Sequence, residues 1–198
     1  MTKQEQNLLG DIISQLIESN ISVRLENTST VKCDGVFCEG FFSDVDKELV
    51  VAFKQSTENF VLVFVHEFCH YLQWKEKSKI YRKADPYIPT LDKYIAGKIK
   101  RSKRTDTAAE LVQTMELECE KKTIQLIKDY QIPYNIENCI RKSNSYIYFY
   151  SILKSTRKWY TVSPTTVPKI IDQMPATFLN DYSIVSPQLM TLYEKCYY

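Results

Sequence analysis

Two histidines and one glutamate stand close enough in this sequence to share a reaction. In the run from Val63 to Leu72, His66 and His70 are four residues apart with Glu67 beside the first. On a helix, positions i and i+4 leave the same face about one turn apart. Two neutral imidazole nitrogens at that spacing can hold one Zn²⁺ at about 2.0–2.1 Å each. Glu67 is rotated by about 100° around the axis. It can therefore reach a water on the open side of such a metal without ligating it. This is the H-E-x-x-H arrangement of zinc hydrolases, in which the glutamate is the general base. Val61 to Val65, Phe68 and Cys69 are all apolar, so the helix should be buried, and two imidazoles and a carboxylate there need partners. These are the only two histidines in the protein. The competing reading is a helix that carries the pattern by chance.

A catalytic zinc takes three protein ligands and keeps one position open. With no third histidine, the remaining ligand must be an acid or a cysteine. Met115 to Glu120 supplies Glu116 and Glu120, which share a helix face, while Glu118 points elsewhere. Cys69 and Cys119 read as small apolar spacers between packed helices. A Cys–His protease is a poor alternative, because zinc accounts better for both histidines. Two histidines and a carboxylate could also hold Fe²⁺ or Mn²⁺.

The pairing of His66-Glu67-x-x-His70 with Glu116-Leu-Glu-Cys119-Glu120 resembles the gluzincin metallopeptidases, and within them the ImmA/IrrE-like peptidases and their plasmid and phage relatives. Those proteins run helix, sheet, H-E-x-x-H helix, then a helix bearing E-x-x-A-[N/E]. Here Cys119 stands for the small Ala and Glu120 for the polar residue that holds a ligand histidine. The resemblance covers about residues 1–133 and departs from the family in a longer gap between His70 and Glu116. It implies a zincin-like α+β fold and a zinc-dependent peptidase with a narrow protein substrate. It also implies Glu116 as third ligand and Glu120 in the outer sphere, with those two roles interchangeable at this level of reading. An oxyanion donor besides the metal is needed. With histidine spent, Tyr146, Tyr148, Tyr150, Tyr160 and Arg157 are the candidates, none preferred over the rest.

These residues need elements to position them. Gln4 to Glu18 carries a helical apolar stripe, and Ser19-Asn20 ends it. Ile21 to Glu26 alternates as a strand. Val31–Cys33 and Val36–Cys38 flank Asp34-Gly35, a turn suited to type I′. Gly40–Phe42 continues that strand, and Glu48–Phe53 follows as another. A small, mostly antiparallel sheet is therefore expected just before the motif helix, which runs from Ser56 to Gln73. Leu49–Phe53 is a candidate cleft edge onto which an extended substrate could add as a strand. Its five consecutive apolar residues suit an interior strand equally. A short helix is expected at Leu91–Lys100. A long one is expected from the capping box at Thr107–Glu110 to about Tyr130, and a further one from Asn135 to about Lys158. The proline-containing tail should hold short helices near Val167–Met174 and Pro187–Tyr193.

Length and composition set the outer bounds. A chain of 198 residues, 44% hydrophobic, can form one sizeable core. The expected layout is a zincin-like domain over 1–133 with a basic insertion at 75–104, and a helical extension over 134–198 packed on the same domain. Residues 75–104 hold eleven Lys and Arg against three acids, a net +8, which leaves about −6 for the remainder. That segment, with Tyr81, Tyr87 and Tyr94 among its cations, supports a second reading: a non-catalytic zinc protein that contacts nucleic acid or another anionic partner. Its bland counterpart is a solvated, flexible insertion. No apolar run reaches the roughly 20 residues of a membrane span. The N-terminus leads into an amphipathic helix and not a signal peptide, so a cytoplasmic protein with reduced cysteines is expected, in the host cytoplasm if phage-encoded.

Overall fold

The computed structural model describes residues 1–33 and 35–197, so the Asp34 half of the expected Asp-Gly turn lies outside the described residues. The chain is α+β. It divides into two compact units, each assembled from two stretches of chain: 1–78 with 119–134, and 79–118 with 135–198.

In the first unit, α1 (Lys3–Glu18) opens on a capping box in which Thr2 and Glu5 satisfy each other's backbone amides. Its stripe of Leu8, Leu9, Ile12 and Leu16 is buried. Strands β1 (Ser22–Glu26), β4 (Gly40–Ser43) and β5 (Glu48–Ala52) form one sheet in the order β1-β5-β4. β1 runs parallel to β5, with Leu25 opposite Val51, and β4 runs antiparallel to it, with Phe42 opposite Leu49. The sheet is therefore mixed, and the mostly antiparallel sheet expected from the sequence is corrected. Leu49–Phe53 is likewise no edge: β5 is central, all of Leu49 to Ala52 is buried, and β4 and β1 are the terminal strands. A strand covered on both faces reads as a continuous apolar run.

Strands β2 (Val31–Cys33) and β3 (Val36–Cys38) form a separate hairpin, with Cys33 opposite Val36. Gly35 at its tip has φ +91°, a conformation that only glycine adopts at no cost. Because side chains alternate along a strand, Gly40, Phe42, Leu49 and Val51 share one face of the sheet. Phe42 meets Tyr71 and Trp74 of the motif helix there. The other face carries Val50, Ala52 and Phe41, which pack with Val31 and Cys38 of the hairpin.

Helix α2 (Thr57–Lys75) starts where Ser56 accepts a hydrogen bond from the Asn59 amide. The second unit contains α3 (Lys79–Ala84), α4 (Ile88–Ile95), the first part of α5 (Lys103–Asp129), α6 (Ile136–Thr156), α7 (Pro168–Ile171) and α8 (Pro187–Tyr193). The basic segment is thus folded, with Ala84, Leu91 and Tyr94 buried in this unit's core beside Phe149, Ile152 and Leu153. Helix α5 begins earlier than its Thr107 box suggested. Ser102 and Thr105 bond each other's amides with their hydroxyls, which caps the chain five residues upstream. Asn135 caps α6, and Arg157 ends it in a left-handed conformation. Among the described residues no helix is long and apolar enough to cross a membrane.

Candidate metal centre

The site lies in the first unit, where α2 packs against the C-terminal part of α5. The close approach of the two helices follows from small side chains at their contact. Cys119 is fully buried and donates its thiol hydrogen bond to the His66 carbonyl at 3.1 Å. One turn on, Thr123 donates to Cys69 Sγ at 3.6 Å and to its own helix's Cys119 carbonyl at 3.0 Å. A side chain larger than Cys at 69 or 119 would force the helices apart.

That contact sets the two imidazoles nitrogen to nitrogen. His66 Nε2 and His70 Nε2 are 3.1 Å apart, and the rings meet edge to face at 4.7 Å. The opposite nitrogens are engaged elsewhere. His70 Nδ1 is 3.0 Å from Oε1 of Gln73, a fully buried side chain. His66 Nδ1 is 3.2 Å from a carboxylate oxygen of Glu120. The Gln73 amide oxygen accepts, so it favours the His70 tautomer that carries its proton on Nδ1, whereas the Glu120 contact is an ion-pair distance without hydrogen-bond geometry. The His70 Nε2 lone pair then faces His66 Nε2 across 3.1 Å, a gap that a proton on His66 Nε2 or a metal ion could bridge. Two nitrogens about 2.05 Å from a tetrahedral Zn²⁺ stand about 3.3 Å apart, so the pair has the separation such an ion needs. Cys119 Sγ completes a cluster with both histidines in which the ligating atoms lie within 4.8 Å of one another. This group could hold a metal ion.

Glu67 faces the sheet side of α2 and is 7% exposed. Strand β4 comes against it at Gly40. A Cβ there would stand 2.9 Å from Val63 Cγ1, 3.0 Å from the Val50 carbonyl and 3.1 Å from Glu67 Cγ. The Cys38 thiol feels the same carboxylate. Burial first, and then the Glu67 charge, push it far above the ordinary thiol range, so it stays protonated. Among the described residues neither Cys33 nor Cys38 belongs to the His66–His70–Cys119 group.

Glu116 precedes Cys119 and Glu120 on α5 by three and four residues and so shares their face of the helix. It belongs to the second unit, where it is 6% exposed and accepts a hydrogen bond from the Tyr150 hydroxyl at 3.3 Å. The Tyr150 and Tyr146 hydroxyls lie 3.0 Å apart. Burial, then the Glu116 charge, raises both phenols well above their ordinary pKa, so they remain neutral donors. The other residues named for the oxyanion are placed differently. Tyr148 stacks edge-on against Tyr182, Tyr160 packs against Phe149 and Trp159, and Arg157 is exposed beside Gly97. Sequence reasoning missed Gln73, although a polar residue three positions after His70 on the same helix was the available signal. It also gave Cys119 a spacer's role only, whereas the fold sets its sulfur among the histidine nitrogens.

No protein-family model, curated protein or solved structure matches this chain.

Proposed function

We propose that the protein is a zinc-dependent peptidase of the gluzincin kind. The observation that carries this reading is the convergence of the two Nε2 atoms, with Gln73 bonded to His70 Nδ1 and a Glu120 carboxylate oxygen 3.2 Å from His66 Nδ1. Outer partners of this type fix the tautomer and orientation of ligating histidines. His66 and His70 would hold the metal. The position of Glu120 near His66 supports an outer-sphere role for it, and Glu116 is kept as the third ligand that the sequence motif implies. Cys119 is the rival, since its sulfur sits in the same cluster.

Bound zinc supplies a Lewis acid and makes a water acidic near neutral pH. The chain's own part is proton handling and substrate alignment. Glu67 takes a proton from the attacking water and gives it to the leaving amine nitrogen. Its burial excludes competing solvent, and Gly40 lets strand β4 lie directly beside it. Because β4 ends the sheet, an extended peptide can pair along it, with strand-to-strand hydrogen bonds holding the scissile amide near the base.

The test is metal content and cleavage by protein purified without a histidine tag. Expected are about one zinc per chain, loss of zinc in His66→Ala and Glu116→Ala, and a roughly 10–100-fold weaker affinity in Glu120→Ala. Glu67→Gln should keep its zinc and lose about 10²–10⁴-fold in peptide cleavage. Retention of zinc by Glu116→Ala with loss in Cys119→Ala would move the third ligand to the thiol, and cobalt-substituted protein would then show a sulfur-to-metal absorption band. A parent protein that binds no added zinc overturns the reading.

A further inference from the structure

The charge of this chain is divided between its units. Residues 79–118 and 135–198 hold sixteen Lys and Arg against ten acids, whereas 1–78 and 119–134 hold ten against fourteen. Every Lys and Arg from 79 to 104 is exposed, and the segment that bears them is helical and anchored through Leu91 and Tyr94. These cations are therefore held on a firm support and do not hang from a loop.

The fold adds to them. Tyr94 donates to the Lys154 carbonyl at 3.1 Å, which brings the end of α6 against the end of α4. Gly97 follows with φ +73°, and the Arg157 guanidinium lies 3.8 Å from where a side chain on Gly97 would begin. The Arg157 guanidinium thus lies beside the turn that Lys98 follows, although the two are far apart in sequence. The dipole at the C-terminus of α6 accounts for a cation at its own end. It does not account for Lys98 and Lys100. Arg101 and Lys154 are neutralised by Asp106 and Glu110. Among the described residues Lys93, Lys98, Lys100 and Arg157 are in no ion pair. Gathering unpaired like charges costs folding stability, and a polyanion repays it.

We propose that this surface binds the phosphate backbone of a nucleic acid. Among the described residues the large apolar side chains exposed in this unit are Val162 and Ile184, outside residues 79–104. The surface therefore lacks both the aromatic or aliphatic anchors at the centre of protein interfaces and the apolar face of a membrane-lying helix. Phosphate contacts need only cations, and they give affinity without sequence preference. Such binding would hold the chain near proteins that are themselves on nucleic acid.

The test uses the full-length protein and a fluorescent DNA duplex of about two helical turns, by anisotropy from about 50 to about 200 mM salt. Binding should weaken steeply with salt, with a log–log slope of about −4, which corresponds to four or five phosphates. The triple variant Lys98→Gln, Lys100→Gln, Arg157→Gln should bind at least about tenfold more weakly, with a slope shallower by about 2–3. Lys3→Gln in α1 should match the parent, as should Glu67→Gln, so the result is independent of the metal reading. Circular dichroism of the triple variant excludes unfolding as the cause. No binding at about 50 mM salt, a slope unchanged in the triple variant, or equal salt-dependent binding to polyglutamate would overturn the proposal.

Discussion

Replacing one hydrogen atom at Gly40 tests how tightly the base is walled. A methyl group there meets Val63, the Val50 carbonyl and Glu67 within 2.9–3.1 Å, and one of the three obstacles is rigid backbone. Gly40→Ala should therefore cost about 1–3 kcal/mol of stability, the usual range for overpacking. It should also lower cleavage more than zinc content, because the strand and Glu67 must separate. Thermal melts and zinc analysis of the same preparation check this, and an unchanged melting temperature with unchanged activity would show that the strand yields freely. At this scale the site was partly legible. His66, Glu67 and His70 are recognisable because a helix turns four residues into one face, and that geometry is local. Gln73 obeys the same local rule but carries no familiar pattern. The role of Cys119 depends on how closely two helices approach, which only the packed structure fixes.

Helix α1 shows how an element can be fastened by one carboxylate. Glu5 is buried, caps the Thr2 amide at 2.5 Å and accepts from the Tyr134 hydroxyl at 2.6 Å. Burial opposes its ionisation, but those hydrogen bonds outweigh it, and the carboxyl sits below the usual glutamate range. A folded pKa below the unfolded one, about 4.3, means that the added stability is full above that value. It is lost as pH falls through the folded one. The parent should therefore lose melting temperature on acidification below about pH 4 more steeply than Glu5→Gln, and parallel curves would refute the assignment. Elements were legible in proportion to how local their signals are. The start of α6 followed from Asn135, and the β2–β3 hairpin from its turn. The pairing of β1 with β5 joins residues about 26 apart in a parallel register, and no local pattern announces it. The edge expected at Leu49–Phe53 failed for the same reason, since an apolar run reports burial and not which neighbour covers it.

For the whole molecule, residues 135–198 belong with 79–118 in one compact unit. Residues 79–118 complete their core with Phe149, Tyr150, Ile152 and Leu153. A fragment ending at 134 would bare Leu91, Tyr94, Val112 and Met115. It should aggregate or bind hydrophobic dye, whereas the intact chain should not. A soluble, cooperatively melting fragment would mean that the second unit contributes little to folding.

The meeting of both histidines at one point has a practical consequence. Every imidazole proton resonance of this protein comes from the same few ångströms, so the two Cε1–H lines of the spectrum observe the site with no labelling scheme. A histidine-selective acylating reagent becomes a footprint of the same place. Its rate, with and without added metal, reads occupancy directly from a single peptide, because His66 and His70 are the only histidines in the chain.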